Sequence, residues 1–286
     1  MGSAAAVAAG VVPAAIGTQT NGSIIRPAAF CGVVGFKPTF GRLPTTGVLR
    51  FAPSLDTLGV FARTVEMCGH LAATMAGDSP LDEIAKSPRI GVVRSPEWEL
   101  AEPAARVSLE TAVGLLREHG ATLVEMEMPP RLADAIPVLR VIMSAEAHRC
   151  IGPKIAHARE KISQQLLSLL DDGAKLTASD YRKARAAQRK LTEEFRSWAE
   201  SVDAIATLAT LGEAPPIATT GDPRCCTRWT LVGAPALTLP AGLGPNHLPL
   251  GLQLVGRRKE DAKLIATARW VEAVLPPIGE PPRPSN

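Results

Sequence analysis

Short apolar runs alternate with longer stretches of helical period along almost the whole chain. Residues 11–17, 33–37, 89–94, 122–127, 204–208, 236–239 and 252–255 are runs of the first kind, and glycine or proline bounds the last three. Runs of that length and setting read as buried sheet strands. Between them, residues 3–9, 65–75, 103–119 and 261–274 read as helices. In 103–119, Val107, Val113 and Leu116 share one side and Gly120 is the stop. Residues 132–200 form a long helical stretch, and Asp171-Asp172-Gly173 is the place where a break is expected. Strands and helices interleaved in this way predict an α/β fold. No internal repeat and no clean linker divides the chain, so a single domain is expected over residues 1–275, with a Pro-rich, mobile tail at 276–286.

Composition narrows the function. Hydrophobic residues make up 46% and charged residues 21% of the 286 residues, which suits a globular chain able to bury its own core. The net charge of +3 is too small to call for a nucleic acid or an anionic membrane. Aromatics at 4% leave little for a base-stacking platform. Ten Lys or Arg stand among six Asp or Glu in residues 154–196, the mixture of a solvated helical face rather than a basic patch. No apolar run is long enough to span a bilayer. The charge-free start lacks the basic region of a signal peptide, and Gly10 and Pro13 interrupt it. Five cysteines, Cys31, Cys68, Cys150, Cys225 and Cys226, have neither metal spacing nor an even count. They read as reduced thiols of a cytoplasmic protein.

The chemistry concentrates in Gly17-Thr18-Gln19-Thr20-Asn21-Gly22-Ser23-Ile24-Ile25-Arg26-Pro27. A loop of small residues delivers a serine to the start of a helical turn. Successive backbone N–H groups in such a loop can cradle an oxyanion, and a serine there is placed to attack a carbonyl. On local chemistry alone the competing reading, Ser23 as a helix N-cap, is the stronger one. The five histidines form no Ser–His–Asp pattern. Gly32 to Lys37 lacks the Gly-Lys-Ser/Thr of a phosphate loop. Lys37 as a base for Ser23 has no geometric support in the sequence. Asp56 and Arg63 are expected to pair as a structural element.

The longer pattern changes that weighing. Gly2-Ser3-Ala4-Ala5-Ala6-Val7-Ala8-Ala9-Gly10, the Gly17–Ser23 loop, and Phe30-Cys31-Gly32-Val33-Val34-Gly35-Phe36-Lys37-Pro38-Thr39 resemble the amidase signature family. Gly41-Arg42 with Gly47, Ser54-Leu55-Asp56-Thr57-Leu58-Gly59 and Ala62-Arg63-Thr64 agree with it, as do residues 229–242 and 249–256. The resemblance implies a mixed central sheet flanked by helices and an amide hydrolase working through an acyl-enzyme. It implies Ser23 as nucleophile and the N–H groups of Thr20, Asn21, Gly22 and Ser23 as oxyanion hole. No cofactor or metal is implied. The implied partner is a small-molecule amide, with a second copy or a complementing N-terminal chain; no nucleic acid or membrane is expected.

Several positions depart from the family pattern. Ser3 matches only the last serine of the stretch that carries the bridging serine, and the catalytic lysine has no counterpart. The domain is therefore expected to be incomplete at its N-terminus and its activity impaired. Gln19 stands where Asp is common, Asn21 where Gly is common, Met67 where Asp is often found, and Arg26 is one place late. The alternatives are a non-catalytic remnant of an amidase and a relative of the amidotransferase subunit that amidates glutamyl-tRNA.

Overall fold

The computed structural model describes residues 1–79 and 84–279. Part of the polar connection at 78–86 and most of the 276–286 tail lie outside the described residues. Among the described residues, eight strands form one mixed sheet in the order β1-β3-β2-β7-β8-β6-β4-β5. They are β1 (Ala14–Gln19), β2 (Val34–Lys37), β3 (Thr57–Ala62), β4 (Arg89–Val92), β5 (Thr122–Glu125), β6 (Ala204–Leu208), β7 (Ala236–Leu243) and β8 (Pro249–Val255). Neighbours are antiparallel from β1 through to β6, and β6, β4 and β5 run parallel.

Helices cover the two faces. On one face, α3 (Val65–Ala76), α4 (Pro103–Glu118) and α10 (Asp261–Val274) pack Cys68, Leu109, Leu116, Leu264 and Val271 onto Phe36, Val60, Val92 and Leu254 of the sheet. On the other, α2 (Ile25–Cys31) and α9 (Arg224–Leu231) lie near the sheet. Outside them run α5 (Pro130–Ala133), α6 (Ile136–Ile155), α7 (Gln164–Ala174) and α8 (Ala178–Trp198), and α1 (Gly2–Ala8) packs against β1. Trp229 of α9 is buried against Phe195 and stacks on Trp198 at 6.5 Å between ring centroids.

The structure corrects several expectations. Periodicity does not reveal strand β3, because Asp56 and Gly59 mask an otherwise apolar run; all six of its residues are buried. Nor does it reveal helix α9. Asp171 to Gly173 does not break the helical stretch but sits inside α7; the breaks fall before Gln164 and after Ala174. Val107 is 64% exposed, and the buried side of α4 is Ala105, Leu109, Ala112, Val113 and Leu116.

Two glycines decide how closely the Ser23 loop lies on the sheet. A Cβ on Gly59 would stand 2.4 Å from Ile24 Cδ1 and 2.5 Å from the Phe36 carbonyl oxygen. A Cβ on Gly35 would stand 2.5 Å from the Ala28 Cβ. Without side chains there, α2 drops onto the strands that carry these glycines, and Ile24 and Ala28 are fully buried.

Candidate active site

The loop between β1 and α2 holds all four residues singled out from the sequence. Ser23 is exposed, Thr20 and Asn21 are half-buried and Gly22 is buried. Ser23 does not cap α2: the N-cap position is Ile24, with no side-chain cap bond. Gln19 does that work from the end of β1. Its Oε1 accepts from the backbone N–H of Ile24 (2.8 Å) and of Ile25 (3.1 Å). The first donors of α2 are thus already used, which leaves Ser23 free of the capping task.

The loop is tied down from four sides. Thr230 Oγ1 donates to the Asn21 carbonyl (2.6 Å) and accepts from Gln19 Nε2 (2.9 Å). Thr227 Oγ1 donates to Asn21 Oδ1 (2.7 Å). Thr20 Oγ1 donates to Asp56 Oδ1 (2.7 Å), while Asp56 Oδ2 accepts from the N–H groups of Phe51 and Ala52. Asp56 therefore serves the loop, and Arg63 donates to the carbonyls of Val7 and Ala8 at the end of α1. Arg26, 9% exposed, donates through Nε to the Gly22 carbonyl (3.3 Å), and its Nη1 donates to the carbonyls of Thr220 (2.9 Å) and Gly221. Burial holds its guanidinium below its ordinary pKa, with Cys226 and Asp222 acting the other way.

These ties aim the backbone. In a trans peptide the N–H points opposite to the preceding C=O. The Asn21 carbonyl is drawn toward Thr230 on α9, so the Gly22 N–H faces away from α9. The Gly22 carbonyl accepts from the Arg26 N–H (3.1 Å) and Nε, so the Ser23 N–H faces away from α2. Among the described residues, no hydrogen bond takes up the N–H groups of Thr20, Asn21, Gly22 or Ser23, or the Ser23 hydroxyl. Four consecutive N–H donors without an internal partner therefore stand next to an exposed hydroxyl. Gly22 lets Arg26 and Cys226 pack close to the loop. A Cβ there would lie 3.0 Å from Arg26 Nε and 3.2 Å from Cys226 Sγ.

Lys37 lies elsewhere in function. It is 0% exposed, and its Nζ donates to the carbonyls of Pro38 (2.9 Å) and Ala234 (2.5 Å). Burial pulls its pKa down to about 7. All five cysteines are free thiols, and burial pushes Cys226, which backs Gly22, up to about 12. A thiol so protonated is packing, not a nucleophile. Sequence reasoning misses Thr227 and Thr230 at the site. Their spacing puts both on one face of a helix, a legible signal only once residues 224–231 are known to be helical.

Comparison with known proteins bears on the family and the fold. A family model described as Amidase matches residues 1–265. A glutamyl-tRNA(Gln) amidotransferase subunit from Nitratidesulfovibrio vulgaris is 31% identical over 98% of this chain and 68% of the relative. Its counterpart from Chloroflexus aggregans is 33% identical over 92% of this chain and 63% of the relative. A solved amidase structure superimposes with a TM-score of 0.90 at 32% identity, over 96% of this chain and 66% of that one. The solved glutamyl-tRNA(Gln) amidotransferase subunit from Thermotoga maritima gives 0.76 at 28% identity, over 98% of this chain and 68% of that one. This chain spans about two thirds of the length of these relatives.

Proposed function

The chain belongs to the amidase family, and from that premise we propose that it carries the nucleophile and oxyanion hole of a carboxylic-amide hydrolase. Ser23 attacks the amide carbonyl to form an acyl-enzyme, and the N–H groups of Thr20, Asn21, Gly22 and Ser23 stabilise the oxyanion of the tetrahedral intermediate. The row of four unpartnered N–H donors beside the exposed Ser23 hydroxyl carries this reading. Water then releases the acid and regenerates the serine.

A serine hydroxyl needs a base at neutral pH. No described side chain hydrogen-bonds the Ser23 hydroxyl, and Lys37 is committed to two carbonyls. The reading therefore includes a base from outside the described residues, and low activity for these residues by themselves. Loss of the base in a serine hydrolase costs on the order of 10⁴-fold or more, with residual catalysis from the oxyanion hole. A cytoplasmic setting fits the five free thiols.

A fluorophosphonate probe followed by peptide mapping tests the assignment. Slow labelling confined to Ser23 is expected, abolished in Ser23→Ala. Gln19→Leu, which strips the N–H groups of Ile24 and Ile25 of their acceptor and so loosens the loop, is expected to slow labelling by about tenfold or more through misplacement of Ser23. Labelling at another serine, or amide hydrolysis unchanged in Ser23→Ala, would overturn the proposal. Fast labelling of the chain alone would refute the claim of low activity.

A further inference from the structure

Glu146 of α6 is a buried carboxylate that the hydrolase reading leaves without a task. It is 3% exposed, and among the described residues no Lys or Arg pairs with it. Neutral donors surround it instead. Oε2 accepts from the Ser54 N–H (2.8 Å), and Oε1 accepts from the Ser54 hydroxyl and from the Tyr181 hydroxyl of α8 (2.6 Å). Burying a carboxylate is costly unless its oxygens are well hydrogen-bonded. Bonds to an ionised acceptor are stronger than neutral ones, and a two-point grip fixes direction as well as distance. This grip falls on a tight turn. The N–H groups of Leu55 and Asp56 both donate to the Ala52 carbonyl (2.8 Å each). Ala52 and Leu55 are fully buried, so apolar packing sets how deep the turn sits. Such packing is non-directional and leaves the rotation of the turn open. Ser54, held by Glu146, closes that freedom.

The far end of the turn meets the Ser23 loop. The Asp56 backbone leads into β3, but its carboxylate can rotate about its side-chain bonds. Oδ2 rests on the N–H groups of Phe51 (2.7 Å) and Ala52 (2.9 Å), which leaves Oδ1 for the Thr20 hydroxyl (2.7 Å). The orientation of the turn thus decides where Oδ1 stands. Threonine is stiff about its first side-chain bond, so a fixed hydroxyl constrains the backbone of the same residue. We propose that Glu146 is a positioning residue for the Ser23 loop: it fixes Ser54, the turn carries that constraint to Asp56, and Asp56 holds Thr20, the first of the four N–H donors. The inference rests on the Ser23 reading above. Helix α9 holds the Asn21 end of the loop through Thr227 and Thr230, and α6, through Glu146, sets the Thr20 end.

Amide NMR of the isotope-labelled chain separates this relay from catalysis. Glu146→Gln keeps the size of the side chain and replaces one acceptor oxygen with a donor. It is expected to shift the Thr20 and Asn21 amide resonances and to speed hydrogen exchange at Phe51 and Ala52. Fluorophosphonate labelling of Ser23 is expected to slow by about tenfold through misplacement of the loop. Ser54→Ala, which deletes only the hydroxyl, is expected to move the same resonances by less, and it carries the test where Glu146→Gln does not fold. A Thr20→Val background tells positioning from mere support, because there the relay has lost its last link. In that background Glu146→Gln is expected to lower the urea midpoint as it does in the wild type, yet to slow labelling by less than about twofold. Unmoved Thr20 and Asn21 resonances in a folded variant, labelling unchanged in Glu146→Gln, or a loss that persists in full in Thr20→Val would each overturn the proposal. If the wild-type chain is not labelled at Ser23 while Glu146→Gln still moves the Thr20 and Asn21 resonances, the hydrolase reading fails and the relay stands.

Discussion

At the scale of single residues, Lys37 shows how burial rewrites side-chain chemistry. Its Nζ has two acceptors, the carbonyls of Pro38 and Ala234, which satisfy the two N–H bonds of a neutral amine and leave none for a third proton. Its pKa falls to about 7 from an ordinary 10.5, chiefly through burial, against the pull of Asp261. Between those values the unfolded chain holds a proton that the native chain lacks, so stability rises with pH. The slope approaches ~1.4 kcal/mol per pH unit at most. Above pH 9, the ordinary value for these thiols, Cys68, Cys225 and Cys226 act oppositely. Burial keeps them protonated in the native chain while the unfolded chain loses those protons. Urea denaturation from about pH 7 to 10 is therefore expected to show stability climbing to a maximum near pH 9, and Lys37→Met is expected to flatten the climb. A wild-type curve level between about pH 7 and 9 would contradict this account.

At the scale of elements, missing side chains matter as much as present ones. Gly59→Ala would drive a Cβ into Ile24 Cδ1 and the Phe36 carbonyl, and neither a buried isoleucine nor backbone can yield easily. The expected cost is about 1–3 kcal/mol, read as a lowered Tm, with slower labelling of Ser23 as the loop is pushed off the sheet. Gly114→Ala in α4 is the matched control. Nothing lies within 4 Å of its added Cβ, so helix propensity should raise stability by about 0.5–1 kcal/mol. Equal effects from the two substitutions would refute the packing argument. The same reasoning explains the misplaced break at Asp171 to Gly173. A Cβ on Gly173 would meet the Ser144 carbonyl oxygen at 2.1 Å, so that glycine serves the close approach of α7 to α6 and not a chain break. In sequence the two uses of glycine look alike. Where periodicity stood alone, as in α10 over Asp261–Val274, the expected helix and the observed one coincide.

At the scale of the whole molecule, one buried ion pair connects distant parts of the chain to the site. Arg228 of α9 donates through Nη1 to both Glu97 oxygens (2.9 and 2.8 Å) and through Nε to the carbonyls of Leu132 and Ala133 (3.0 Å each). Both charged side chains are only 4% exposed. The pair fixes α9, and with it Thr227 and Thr230, against the segment after β4 and against α5. Glu97→Leu strands the guanidinium and is expected to cost about 3–5 kcal/mol in urea denaturation. Arg228→Met combined with Glu97→Leu is expected to recover much of that loss, because no unpaired charge remains buried. Strictly additive losses in the double variant would show that the pair is not coupled.

The sequence by itself determined the α/β class, the amidase family and the Ser23 loop, because these rest on local periodicity and on a contiguous motif. Tertiary structure alone decided how that loop is aimed. Gln19 and Asn21 meet partners on α9 that are 206 to 211 residues away. Hydrogen bonds of 2.6–2.9 Å between such positions follow from packing and leave no spacing to read.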